Sequence, residues 1–93
     1  METDKKTWVL YILECNDGTL YTGITDNFKK RYQAHVSGKG AKYTRGRGPL
    51  VLRYLECCEN HSSALRREIA VKRLRKPEKL VLCEKYMQEN STP

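Results

Sequence analysis

Polar and apolar positions alternate on both sides of Asn16-Asp17-Gly18, with β-forming residues from Trp8 to Glu14 before the turn and from Thr19 to Ile24 after it. Period-two alternation around a glycine-ending turn predicts a β-hairpin. A three-residue loop with Gly18 in the left-handed region sets Cys15 against Thr19, Leu13 against Tyr21 and Tyr11 against Gly23. Tyr11 and Tyr21 then share one sheet face. The other face carries Trp8, Leu10, Ile12, Leu20 and Ile24, the more apolar set and therefore the expected buried side. A two-residue Asp-Gly loop would put the two tyrosines on opposite faces, so their relationship depends on the register.

The period changes after the hairpin. Asp26 or Asn27 can cap a helix over 28–36, with Gly38 as its C-terminal stop. Phe28, Tyr32 and Val36 fall four apart and form one stripe; Arg31 and His35, also four apart, form the adjoining one. The segment 38–49 holds four glycines and four cations (Lys39, Lys42, Arg45 and Arg47) with no acid, and reads as a basic loop. Residues 50–57 suit a third strand added to the hairpin sheet. A turn at 59–62 and a helix over about 63–75 follow, with Leu65 and Ile69 on its apolar stripe and Glu68 set among arginines and lysines. Pro77 suits a first helical position, so a last helix is expected to about Met87, with Leu80, Val81 and Leu82 packing inward and a frayed tail over 88–93.

The element order is therefore β-β-α-β-α-α, an α/β (α+β) domain built on a small three-stranded antiparallel sheet flanked by helices. At 93 residues with no repeat, 1–93 is expected to be one domain with a core over about 8–87. The run from Trp8 to Leu13 is far shorter than the ~20 residues of a membrane span. No basic start leads into a long apolar stretch, so no secretory signal is visible and the cytoplasm is the expected compartment. Cys15, Cys57, Cys58 and Cys83 lack paired metal-ligand spacing and are expected to be reduced thiols.

Charge narrows the class of partner. Eighteen Lys and Arg against eleven Asp and Glu leave a formal +7, which favours a polyanion or an acidic surface. Tyr43 among the four loop cations suits a nucleic-acid backbone with one stacking ring, although such charge also serves simply for solubility.

Val9-Leu10-Tyr11, the hairpin turn, Tyr21-Thr22-Gly23, Arg31, His35 and then Glu68 form an ordered set over nearly the whole chain. In this set the chain resembles the GIY-YIG nuclease domain, and more narrowly the short single-domain bacterial UPF0213 group. The resemblance implies the same fold and a metal-dependent endonuclease, with nucleic acid as partner, DNA ahead of RNA. Tyr21 would activate the attacking water and Tyr11 would hydrogen-bond beside it. Arg31 would grip the phosphate through its planar guanidinium, and His35 would exchange protons or bind the phosphate. Gly23 belongs to the structural motif. Glu68 would hold one Mg²⁺ or Mn²⁺, since such ions commonly take only one or two carboxylates and keep their waters. No second acid lies three or four residues from Glu68 to build a paired-metal site.

Each residue also has an ordinary role open to it. Strand tyrosines usually pack, helix arginines and histidines are usually solvated, and Glu68 between cations could be a helix-face ion pair worth under ~1 kcal/mol. Their joint placement favours the nuclease over two rivals: a non-catalytic nucleic-acid-binding module of the same fold, and an adaptor docking on an acidic protein. Three motif positions depart from the family pattern, Val9, Leu10 and Thr22, but none is a reacting group. The late asparagine that larger members carry near the site is not identified in this sequence, Asn90 in the tail being a poor candidate. With no second binding domain expected in 93 residues, substrate binding should be weak or unselective unless a protein partner supplies specificity.

Overall fold

The computed structural model describes residues 7–40, 44, 46 and 48–90. The elements run β1 (Trp8–Glu14), β2 (Leu20–Thr25), α1 (Phe28–Val36), β3 (Val51–Cys58), α2 (His61–Lys72) and α3 (Lys76–Asn90). The three strands form an antiparallel sheet in the order β2-β1-β3.

The hairpin adopts the three-residue loop. Leu13 faces Tyr21 and Tyr11 faces Gly23. Cys15 N donates to Thr19 O at 2.9 Å, Gly18 N donates to Cys15 O at 2.9 Å, and Gly18 takes φ 85°. Asp17 Oδ1 tightens the loop by accepting from Thr19 N at 3.1 Å and from Thr19 Oγ1 at 2.7 Å. Tyr11 and Tyr21 accordingly share a face.

Both faces of the sheet are covered. Leu10 and Ile12 pack with Val71 and Cys83 beneath α2 and α3, joined by Leu20, Ile24 and Leu82. On the other side Tyr11, Leu13, Cys15 and Leu50 pack with Tyr21, Phe28 and Tyr32 beneath α1. The expectation of one buried face holding Trp8, Leu10, Ile12, Leu20 and Ile24 thus captures half of the core. β1 is the central strand between two helical layers, so Val9 to Leu13 are all buried, while Trp8 is only half-buried and rests against the His61 ring at 4.4 Å.

Local signals fix the start and end of α1. Asn27 caps it by accepting from Lys30 N at 3.2 Å. At the far end Gly38 takes φ 83°, Gly38 N donates to His35 O at 3.1 Å and Lys39 N to Ala34 O at 2.8 Å, the paired bonds of a glycine-terminated helix. Of the expected stripe, Phe28 and Tyr32 face the sheet and stack at 5.6 Å, whereas Val36 is 60% exposed. Tyr32 Oη instead anchors the helix by donating to Leu50 O at 2.9 Å.

The later helices depart further from expectation. α2 begins at His61, not near 63, because Asn60 and Ser63 cap it reciprocally. Leu65 and Ile69 are exposed, and the sheet-facing stripe is Ala64, Glu68 and Val71. Ala64 and Val71 are fully buried, and the bulkier Leu65 and Ile69 stripe lies on the outer side of the helix. In α3, Leu80 and Val81 are exposed while Leu82 and Cys83 pack inward. Consecutive helical residues are ~100° apart, so three in a row cannot all face one core. The helix continues through the expected fray to Asn90, and residues 91–93 lie outside the described set. Among the described residues, no helix is long and apolar enough to cross a membrane.

Candidate active site

β1 brings Tyr11 and β2 brings Tyr21 to the face covered by α1, their ring centres 6.3 Å apart. α1 brings Arg31 and His35 onto the same face, one helical turn apart. The Tyr11 hydroxyl and His35 Nε2 are hydrogen-bonded at 2.9 Å, and His35 Nδ1 is hydrogen-bonded to Thr44 Oγ1 at 2.9 Å. Arg31 lies close enough for its charge to act on Tyr11, favouring the ionised phenol and opposing the effect of burial. With the Arg31 cation near the Tyr11 oxygen, the simplest polarity runs from the Tyr11 hydroxyl to Nε2 and from Nδ1 to Thr44.

Burial determines which hydroxyl is available for chemistry. Tyr11 is 1% exposed, and burial pushes it up to about 12 despite the opposing influence of Arg31. It therefore stays protonated at neutral pH. Tyr21 is half-buried, with its ring 5.3 Å from His35. His35 is 2% exposed; burial first, and then the Arg31 charge, push it below its ordinary value, so the imidazole is neutral. With both ring nitrogens occupied, His35 sits as a brace between Tyr11 and Thr44 rather than as an open phosphate ligand.

The His35 shift sets a pH dependence. The folded protein takes up the imidazole proton less readily than the unfolded chain, so the unfolded chain binds more protons below the ordinary value of 6.5. This contribution to stability is intact above that value and declines as pH falls through and below it. Proton NMR of the His35 ring should show a midpoint below 6.5; titration at or above that value would reject the buried neutral imidazole.

Glu68 arrives from the other layer. α2 covers the opposite sheet face, yet the Glu68 charge is felt at Tyr11, where it opposes ionisation. The Glu68 side chain is 19% exposed, and Lys72 Nζ pairs with its Oε2 at 3.3 Å. Among the described residues, no three His, Cys, Asp or Glu gather as a metal cage. A single carboxylate fits an ion that keeps most of its waters, provided Lys72 gives way.

Two glycines make room for these contacts. A Cβ on Gly23 would lie 2.6 Å from Tyr11 Oη and 3.1 Å from Tyr21 Cε2. One on Gly40 would run into the His35 ring. Gly23→Ala should therefore cost ~1–3 kcal/mol, as overpacking does, and separate the tyrosines. A denaturant midpoint equal to that of wild type would show that the rings move apart without strain.

The structure thus gathers Tyr11, Tyr21, Arg31 and His35, with Glu68 in electrostatic reach and Gly23 beneath them. Of the expected nucleic-acid loop, Lys39 is described and exposed, while Lys42, Tyr43, Arg45 and Arg47 lie outside the described residues. Thr44 and Gly40 were missed from sequence. Gly40 had a signal, a second glycine two residues past the Gly38 stop; Thr44 had none, since a threonine in a loop is ordinary.

The match to known proteins decides the family. The model of the GIY-YIG catalytic domain matches residues 7–81. The chain belongs to the GIY-YIG family. Within the family its relatives are UPF0213 proteins. One from Desulfotalea psychrophila is 53% identical over 74 residues, covering 78% of this chain and 67% of that protein. Another, from Oceanobacillus iheyensis, is 50% identical over 80 residues, covering 86% and 93%. The solution NMR structure of a UPF0213 protein from Bacillus halodurans is 45% identical with a TM-score of 0.55, covering 84% of this chain and 83% of that one. A solution NMR structure of an E. faecalis protein is 37% identical with a TM-score of 0.59, covering 91% and 86%. As a GIY-YIG domain the chain has the α/β fold of the UPF0213 structures, and its two motif tyrosines are the pair that the hairpin register aligns.

Proposed function

We propose that this GIY-YIG domain is an endonuclease that hydrolyses phosphodiester bonds in nucleic acid, DNA ahead of RNA, with one Mg²⁺ or Mn²⁺ ion. The observation that supports this reading best is that Tyr11 is 1% exposed and hydrogen-bonded to His35, while Tyr21 on the same sheet face is only half-buried. Two chemically alike groups are thereby made unlike.

Tyr11, protonated and buried, holds its place and donates. Tyr21, half-buried, would act as the base in its deprotonated form, taking the proton of the attacking water as the water oxygen bonds to phosphorus; the bond to the leaving oxygen breaks and that oxygen takes a proton from solvent water. Arg31, whose charge is felt at Tyr11, has planar guanidinium donors for the phosphoryl oxygens, where developing charge is best stabilised by preorganised groups. His35 positions Tyr11 and is itself positioned by Thr44. Glu68 would hold the ion, which when bound neutralises charge on the phosphoryl oxygens.

The Lys72–Glu68 pair supports one rival, a non-catalytic nucleic-acid-binding module, because a carboxylate committed to a lysine would need no metal. A cleavage assay on single-stranded, duplex and branched substrates, with and without Mg²⁺ or Mn²⁺, separates the two. Metal-dependent cleavage that purifies with the protein is expected. Salt-sensitive binding without cleavage on any substrate would favour the module.

A further inference from the structure

β2 is an edge strand: the order β2-β1-β3 leaves its outer side unpaired among the described residues. A shallow pocket with cationic side chains in its lining opens at each end of it. One involves Thr25 with Lys30 and Arg31, and includes the acid Asp26. The other is lined by Thr19, Leu20, Lys76 and Lys79 at the hairpin tip. Between them α2 packs on β2 and places Lys72 beside Glu68.

The tip end is strongly basic. Lys72, Arg73, Arg75, Lys76 and Lys79 stand within one helix junction against the single acid Glu78. The Glu78 carboxylate is turned to the backbone, where Oε1 accepts from Arg75 N at 2.8 Å. Lys76 Nζ donates to Gly18 O at 2.8 Å, which holds the ammonium at the tip. That bond uses one of its three donors and leaves two for another acceptor.

From these placements we infer that one strand of nucleic acid lies along the outer edge of β2, from the Lys30–Arg31 end to the Lys76–Lys79 corner, crossing the candidate active site on the way. The inference rests on the nucleic-acid reading above and adds a path and a footprint to it. Six strand residues span roughly 20 Å at ~3.3 Å each, and nucleotides stack at ~3.4 Å along a strand. The edge therefore accommodates on the order of five or six nucleotides. An open strand edge also suits an extended peptide, but cations at both ends favour the polyanion.

The test is binding of a short fluorescein-labelled oligo(dT) without divalent metal, over a range of KCl concentrations. The variants are Lys76→Ala/Lys79→Ala and the charge-retaining Lys76→Arg/Lys79→Arg. The alanine pair should weaken binding and flatten the log–log salt slope by about 1.4, at ~0.7 per phosphate contact on a single strand. The arginine pair should keep the wild-type slope. In wild-type protein the amide resonances of Leu20 to Thr25 should shift with the oligonucleotide.

An unchanged slope and affinity in the alanine pair, or β2 amides that move only with an extended peptide, would overturn the path. If wild type cleaves while the alanine pair binds as wild type does, the path fails and the nuclease stands. If the slope falls as expected but no substrate is cut, the path stands and the nuclease fails.

Discussion

Tyr21→Phe is expected to slow metal-dependent cleavage by ~10²–10⁴-fold, the range typical of removing an acid-base group, with nucleic-acid binding and thermal stability nearly unchanged. The substitution deletes one oxygen and leaves the ring to pack 5.3 Å from His35 and 6.3 Å from Tyr11. Tyr11→Phe provides the contrast. Its hydroxyl is buried and bonded to His35, so its loss leaves a buried ring nitrogen unpaired, at a cost of ~1–3 kcal/mol. The two variants should therefore separate: Tyr21→Phe lowers rate alone, whereas Tyr11→Phe lowers rate and stability together. Single-turnover cleavage and denaturant midpoints read the two effects. A Tyr21→Phe protein that cleaves at the wild-type rate would reduce Tyr21 to a packing residue and remove the proposed chemistry.

Glu68→Gln should abolish metal-dependent turnover while hardly affecting the fold. The glutamine keeps the shape of the side chain, and the ion pair that it breaks is partly exposed, with Lys72 54% accessible, so the stability change should stay under ~1 kcal/mol. Freed of its partner, the Lys72 ammonium should tighten nucleic-acid binding measured without metal. Loss of turnover and tighter binding are thus expected from one substitution, because the carboxylate that would hold the ion also offsets a cation on the proposed substrate path. Cleavage titrated against Mg²⁺ or Mn²⁺, set beside binding in chelator, reads both. Turnover retained at the wild-type metal dependence would dismiss Glu68 as the ligand. If binding tightens while neither protein shows a metal response, Glu68 is an ion-pair residue only.

Much of the site is legible in sequence because its core is local. The loop Asn16-Asp17-Gly18 sets the hairpin register, and the register alone places Tyr11 against Gly23 and beside Tyr21. The four-residue spacing of Arg31 and His35 puts both on one side of a helix whose ends are marked by Asn27 and Gly38. Turn and cap preferences act over three or four residues, and no distant contact has to be known to read them.

The remaining features depend on distant parts of the chain meeting. Alternation identified the more apolar face of the hairpin, but whether the tyrosine face would also be covered depended on α1 folding across it, which makes Tyr11 1% exposed and raises its hydroxyl to about 12. The bond from His35 to Thr44 joins residues across a loop whose composition reads only as basic. α2 buries Ala64 and Val71 and leaves the bulkier Leu65 and Ile69 exposed, and that rotation carries Glu68 within electrostatic reach of Tyr11. Short-range backbone preferences were enough for the order of strands and helices and for the pairing of the two tyrosines. Tertiary structure alone decided the difference in environment between the tyrosines, the brace on His35 and the approach of Glu68. Burial and helix rotation are set by packing summed over the whole core, a quantity that no local pattern carries.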